Sequence, residues 1–351
     1  MKDKLRLGVI GAGAFSDRHL DGIEHADNAV AVAICDIDIE KAKSQAEKYH
    51  VESVYSDYHE LLARDDIDAV TLPLPDQVHA EVAIAALRAG KHVLCEKPMA
   101  LDLDECKEMI RVAKETGKQL MVGQIGRYTP AFMEAKRLLE SGAIGDLFFI
   151  ESEYAHDYSG IGGTPLGPDK PYWRITPERE SIIGGGCHAV DLIRMIAGNP
   201  TEVFAYANNK CLTEWPIHDC SVAIMKFDNG VIGKVFNSHG CKRGYTMRSV
   251  LYGTKGTIIF DNQTTHISLF KERFSEDQAF DGMTQKHLEI KIPVELNNHN
   301  FKGEVYDFCR CILAGEPVVT TGVEGASTAS VCLSIVKSFK TGEKVTVDYD
   351  F

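Results

Sequence analysis

A carboxylate and an ammonium stand side by side at the end of an apolar run in "VLCEKPMA", where Glu96 and Lys97 are followed by Pro98. A buried strand has no use for two charges, and the proline cannot donate to a sheet ladder while it holds the preceding residue extended. A lysine fixed at such a strand end can stabilise charge developing on oxygen and pass a proton onward. His188, in "IIGGGCHAVDLIRMI", is the residue type suited to removing a proton from a hydroxyl, because an imidazole titrates near neutrality. In "VIGAGAFSDRH", Gly11 and Gly13, with Ala14 and Phe15 behind them, form the glycine turn that lets a pyrophosphate sit on a helix N-terminus. Ser16 stands where a third glycine would complete the pattern, and its small side chain still permits close packing. Asp36 ends the next apolar run, where a carboxylate would meet the 2′- and 3′-hydroxyls of an adenosine ribose and repel a 2′-phosphate. NAD is therefore expected as the cofactor in preference to NADP.

Chemistry of this kind needs strand ends to hold it, and the first third of the chain supplies them. Short β-branched runs ("LRLGVIG", "AVAVAIC", "DAVTLPLP", "KHVLCE", "QLMVGQ") alternate with helical patterns, one of which closes at Gly90 and another of which runs from a capping box at Asp102 and Glu105 to Gly117. Such alternation predicts right-handed βαβ units and a doubly wound parallel sheet. Beyond about residue 123 the pattern changes to successive strands, with Asn229-Gly230 in "MKFDNGVIGKV" as a hairpin signal. The fold class expected is α/β: a dinucleotide-binding domain over residues 1–122 and an α+β domain over 123–351 with a large, open, mostly antiparallel sheet.

Charge and composition exclude other classes. The 351 residues carry a formal net charge of −13 with no basic block, which disfavours nucleic acid and anionic lipid as partners. No run approaches the length of a membrane span, and the N-terminus has no secretory pattern, so a cytoplasmic protein is expected. The ten cysteines are scattered, with no C-x-x-C pair, and reduced thiols without a metal are the expectation. An antiparallel sheet rich in Val, Ile and Phe leaves an apolar face, so a homodimer or homotetramer is expected.

The segments "VIGAGAFSDRHL", "PDQVHAEVAIAALRAGKHVLCEKPMA" and "GGGCHAVDLIRMI", in this order and spacing, resemble the glucose-fructose oxidoreductase, inositol dehydrogenase and MocA family, and the likeness runs through most of the chain. The resemblance implies an N-terminal Rossmann domain, a C-terminal domain whose open sheet often joins subunits, and a nicotinamide between the two. It assigns Lys97 to the reacting C–O group beside the nicotinamide, places Glu96, Lys97, Pro75 and His79 near the cofactor, and makes His188 the general base. It also brings Arg127 to the domain junction as a substrate-binding residue, with an interdomain salt bridge as the alternative role. Two departures stand out: Gly184 occupies the position where many relatives carry an aspartate that orients the histidine, and Asp76 stands where many have asparagine. Asp191, one helical turn beyond His188, is the other carboxylate on the substrate side. In "PYWR", Trp173 can stack on a sugar face and Arg174 can grip an anion, against the alternative that the loop packs on the sheet.

The function implied is an NAD-dependent oxidoreductase acting on a secondary hydroxyl or carbonyl of a sugar, sugar derivative or polyol. A redox-assisted glycosidase that retains NAD and a non-catalytic nucleotide sensor are the alternatives.

Overall fold

The structure is a computed structural model that describes residues 3–159, 173–271 and 288–351. Its first sheet is parallel, with strands β1 (Leu5–Ile10), β2 (Ala29–Cys35), β3 (Ser53–Tyr55), β4 (Ala69–Leu72), β5 (His92–Glu96) and β6 (Leu120–Gly123) in the order β3-β2-β1-β4-β5-β6. Helices α1 (Ser16–His25), α2 (Ile39–Lys48), α3 (Tyr58–Leu62), α4 (His79–Arg88) and α5 (Leu103–Thr116) make the crossovers. Every residue of β4 and β6 is buried, as a sheet covered on both faces requires. The strand order reverses between β1 and β4, and a crevice for a ligand opens at the carboxyl ends of strands on either side of such a switch.

The second sheet is reached through α6 (Pro130–Glu140), β7 (Leu147–Ala155), α7 (Ser181–Gly184) and α8 (Cys187–Ala197). It continues with β8 (Glu202–Asn208), β9 (Cys220–Lys226), β10 (Ile232–Ser238), β11 (Thr246–Gly253), β12 (Gly256–Asp261), β13 (His266–Lys271) and β14 (Leu288–Pro293). After helices α9 (Phe301–Ala314) and α10 (Gly322–Thr341), the short β15 (Val345–Thr346) closes the edge. Among the described residues this sheet has nine strands in the order β14-β13-β12-β11-β7-β10-β9-β8-β15, antiparallel except for the β7–β10 pair. The β9–β10 hairpin turns at Gly230, whose φ of +83° is one that an L-residue rarely adopts.

Helices α6, α8 and α10 pack on one face of this sheet around a core that includes Phe132, Ile193, Met225, Phe260 and Ile335. The other face carries exposed Tyr206, Ile224 and Ile232 with no described helix over them.

The last two helices tie the sheets together. Val305 and Phe308 of α9 join Leu20 and Ile23 of α1 in one core, Phe301 packs on the Phe15 and His19 rings, and Gly22 lets the backbones meet, since a Cβ there would lie 3.0 Å from the Phe301 carbonyl. Thr320, just before α10, accepts from Val122 N at 2.8 Å and donates from Oγ1 to Val122 O at 2.6 Å. No described helix is long and apolar enough to cross a membrane.

Candidate active site

The glycine turn lies between β1 and α1, as its spacing predicts. Gly11 has φ +106°, and any side chain there would strike Pro73 O, so the turn closes directly against the loop that follows β4. A Cβ on Gly13 would meet no heavy atom within 4 Å, leaving the backbone open for close approach by a ligand. Phe15 precedes α1 without a side-chain cap, so the first amides of that helix have no carboxylate or hydroxyl from their N-cap residue.

Asp36 extends from the end of β2, with Oδ2 accepting from Ala12 N at 2.7 Å and Oδ1 from Asp38 N at 2.9 Å. A carboxylate has acceptor capacity beyond two bonds, and the remainder suits a diol. Its neighbour Ile37 is 95% exposed, an apolar side chain in water beside the position expected for a ribose. Sequence reasoning does not single out Ile37, although an isoleucine directly after the acidic strand end is an available signal. These features fit an adenine dinucleotide.

Glu96 and Lys97 end β5. Glu96 is buried, with Oε1 3.0 Å from His19 Nε2 and Oε2 accepting from Lys97 N at 3.1 Å. Burial pushes its carboxyl up, but the hydrogen-bonded His19, then Lys97 and His79, hold it below the ordinary glutamate value. The Lys97–Pro98 peptide is cis. His79, at the start of α4, sets Nδ1 2.9 Å from Pro98 O and Nε2 3.1 Å from Leu74 O, clamping the Pro98 turn to the loop that continues into Pro75. Among the described residues, the Lys97 ammonium has no hydrogen-bond or ion-pair partner.

Opposite this turn stands the start of α8. Pro98, Met99, Ile183 and Cys187 line one buried cavity of about 10 Å³, which brings the Lys97–Pro98 turn and the residue before His188 together. His188 is 6% exposed and stacks on Tyr154 with ring centroids 5.9 Å apart. Burial first, then the charge of Lys97 and the presence of His299, push its basicity well below that of a free imidazole. The titration near neutrality expected of the residue type is thus displaced: His188 is neutral here across the physiological range. His299 is likewise held down to about 4, by burial and by Lys97.

The three glycines before His188 make room for particular side chains. A Cβ on Gly184 would lie 2.0 Å from Arg179 Nη1, and one on Gly185 would lie 2.5 Å from His239 Nε2. His239 is 1% exposed, stacks flat on Tyr158 at 4.0 Å, and among the described residues has neither ring nitrogen paired. Burial, then the nearby Arg179, holds it to about 3. Tyr154 adds its hydroxyl, 3.2 Å from His156 Nδ1. Neither His239 nor Tyr154 is legible as a site residue in the sequence, since both sit in strand-and-loop segments without a motif.

The remaining sequence candidates divide into two groups. Arg127 and Asp191 meet each other, Nε to Oδ2 at 2.9 Å and Nη2 to Oδ1 at 2.8 Å, with Thr328 donating to Asp191 Oδ1 at 3.0 Å. Asp191 is thus paired with Arg127, and both lie beyond residue 123. Trp173 and Arg174 form a short 3₁₀ turn (Trp173–Ile175), with the Arg174 guanidinium 4.2 Å over the indole and Gln77 Nε2 donating to Trp173 O at 2.8 Å. The glycine- and proline-rich stretch 160–172 before them lies outside the described residues.

Residues 5–124 match the family model described as "Oxidoreductase family, NAD-binding Rossmann fold", and residues 132–259 match the "GFO/IDH/MocA C-terminal domain". The chain belongs to the GFO/IDH/MocA oxidoreductase family. Relatives within and around this family cover the chain almost end to end. A myo-inositol 2-dehydrogenase of Thermotoga maritima is 27% identical, with 98% of this chain and 99% of that protein aligned. A levoglucosan dehydrogenase of Pseudarthrobacter phenanthrenivorans is 27% identical over 95% of this chain and 96% of its own length. Among solved structures, a levoglucosan dehydrogenase in complex with NADH and L-sorbose superposes with a TM-score of 0.87 at 25% identity, covering 99% of both chains. The GFO/IDH/MocA architecture thus accounts for both sheets, and NAD is the cofactor that its first domain takes.

Proposed function

We propose that this protein is an NAD-dependent dehydrogenase acting on a secondary hydroxyl of a sugar or polyol, with Lys97 and His188 handling the proton. The observation that carries this reading is an ammonium with no partner among the described residues, at the carboxyl end of β5, facing a buried, neutral imidazole. Bound NAD would supply a nicotinamide as hydride acceptor. Gly11, Gly13 and the N-terminus of α1 would hold its pyrophosphate, and Asp36 its adenosine ribose, with the carboxylate disfavouring a 2′-phosphate.

Lys97 donates to the substrate oxygen, which lowers the cost of negative charge as the O–H proton leaves. His188, kept neutral by burial and by Lys97, has a lone pair free to accept that proton or to orient the hydroxyl. Stacking on Tyr154 fixes its ring plane without a carboxylate. The names of the relatives, inositol and levoglucosan dehydrogenases, support neutral ring polyols as the first substrates to try. The experiment is NADH formation by purified protein with NAD and myo-inositol, scyllo-inositol, levoglucosan and common hexoses. Absorbance growth with any of them supports the reading; tightly held NAD with hydrolysis of a glycoside and no net NADH would replace it with a redox-assisted glycosidase.

The uncovered sheet face, with Tyr206, Ile224 and Ile232 exposed, supports a homo-oligomer formed face to face. Unpaired thiols at all ten cysteines suit a reducing compartment such as the cytoplasm.

A further inference from the structure

Arg179 is 1% exposed, one of the largest fully buried side chains in the molecule, and it belongs to neither the cofactor turn nor the proton-handling pair. Its Nε donates to Asp76 Oδ2, and that carboxylate is equally buried. Nη1 donates to Arg174 O at 3.1 Å, and Nη2 lies 3.5 Å from Gly184 O. The guanidinium also sits 5.1 Å from the Trp173 ring, which receives Arg174 at 4.2 Å. One side chain therefore touches three segments: the loop after β4 beside the cofactor turn, the turn that carries Trp173 and Arg174, and the glycine run that leads into His188.

Building this junction from an ion pair is a poor way to gain stability, since desolvating both charges offsets most of their attraction. A planar guanidinium with several fixed donors is, however, well suited to setting the relative positions of three backbones. Space makes the same point, because the guanidinium fills the volume that any side chain at residue 184 would occupy. Resting on the dehydrogenase reading above, we infer that Arg179, held by Asp76, is a positioning residue that sets the Trp173–Arg174 turn and the His188 segment against the cofactor loop, and so governs how the substrate ring is seated. Asp76 and Gly184 are then two parts of one arrangement: the first anchors the guanidinium and the second makes room for it.

The test uses the full-length protein with NAD and whichever of myo-inositol, scyllo-inositol or levoglucosan it oxidises. Arg179→Lys keeps the charge but not the fork, Asp76→Asn keeps an acceptor but not the charge, and Gly184→Ala displaces the guanidinium without touching either partner. All three should raise KM by at least about tenfold, and Arg179→Lys and Gly184→Ala, which lie outside the first domain, should leave NAD affinity within about twofold. Trp173 and Trp215 are the two tryptophans of the chain, so a Trp215→Phe background isolates Trp173 fluorescence. In that background each variant should shift Trp173 emission to the red and increase its quenching by acrylamide, with or without turnover. Unchanged emission in Arg179→Lys and Asp76→Asn overturns the inference, as does altered emission with KM and kcat both within about twofold of wild type. If none of the polyols is oxidised, the dehydrogenase reading is the one in difficulty, and the Trp173 emission still decides for or against Arg179.

Discussion

Asp191 gives both its carboxylate oxygens to Arg127, at 2.9 and 2.8 Å, one helical turn from His188 and not to it. The pair is nearly dry, with side-chain exposures of 11% for Arg127 and 3% for Asp191, and it is extended by Arg194 and Glu324. It joins the segment after β6 to α8 and α10. His188 is therefore oriented by aromatic stacking in a helix start, and the carboxylate one turn away is used elsewhere.

Removing Asp191 should act on stability before it acts on chemistry. Asp191→Ala leaves the buried Arg127 and Arg194 with only the half-exposed Glu324 as a shared anion, and a buried pair broken from one side is destabilised by up to about 3 kcal/mol. Denaturant unfolding should show that loss, while the pH profile of any residual activity keeps its wild-type shape. A stable Asp191→Ala protein with a newly shifted pH profile would instead make Asp191 a partner of His188.

The acid side of the activity profile provides a second check. An imidazole free to titrate would produce a limb near about pH 6.5. Burial, Lys97 and His299 all push His188 in the same direction, so kcat/KM should show no His188 limb in that range. His188→Asn should slow turnover and leave the profile between roughly pH 5.5 and 7.5 unchanged in shape. A limb close to that of a free imidazole that vanishes in His188→Asn would contradict the buried, neutral assignment.

Glu304 makes a prediction about stability and pH. It is fully buried on α9, neither carboxyl oxygen has a partner among the described residues, and burial followed by the nearby Glu96 raises it well above the ordinary glutamate value. The folded protein thus keeps a proton that the unfolded chain releases above about pH 4.3. With more protons bound in the native state, stability falls as pH rises from that value towards the raised folded one. Glu304→Gln should remove this slope, so its melting temperature relative to wild type should be higher at about pH 8 than at about pH 5. An identical pH dependence in both proteins would show that Glu304 is ionised or paired in solution.

Much of the first domain is legible in the sequence because charge and glycine interrupt apolar runs there. "AVAVAIC" is β2 to the residue, Gly117 is the left-handed end of α5 at φ +66°, and Asp102 caps that helix by accepting from Glu105 N at 2.9 Å. The three-residue β3 and the five-residue α3 are too short to show a period within "VESVYSDYHELL". In the second sheet, β13 is hard to see because "HISLFK" follows a run of polar residues, although it pairs with β12 and β14 on either side of it in the chain. Lys97 and Asp36 can be picked out because each is a charge at the end of a hydrophobic strand. Arg179 cannot: "TPERESI" looks like a solvated charged loop, and its partner Asp76 lies 103 residues away. A buried ion pair between distant segments leaves no local pattern to find.

Cofactor choice follows from Asp36. Its carboxylate already accepts from Ala12 N and Asp38 N, so it is fixed in place and cannot swing away from a 2′-phosphate. NAD should bind at least about tenfold more tightly than NADP by calorimetry, since placing a carboxylate against a phosphate is unfavourable. Equal affinities would remove Asp36 from the ribose.

The most direct measurement is the turnover of Lys97→Met with NAD and the best polyol substrate. Methionine preserves an unbranched apolar stem and removes the only donor group that this side chain supplies, so kcat should fall by roughly 10² or more while NAD affinity by calorimetry stays within about twofold. A folded Lys97→Met enzyme that binds NAD and turns over at the wild-type rate would contradict the assignment, because the ammonium at the end of β5 would then take no part in the chemistry.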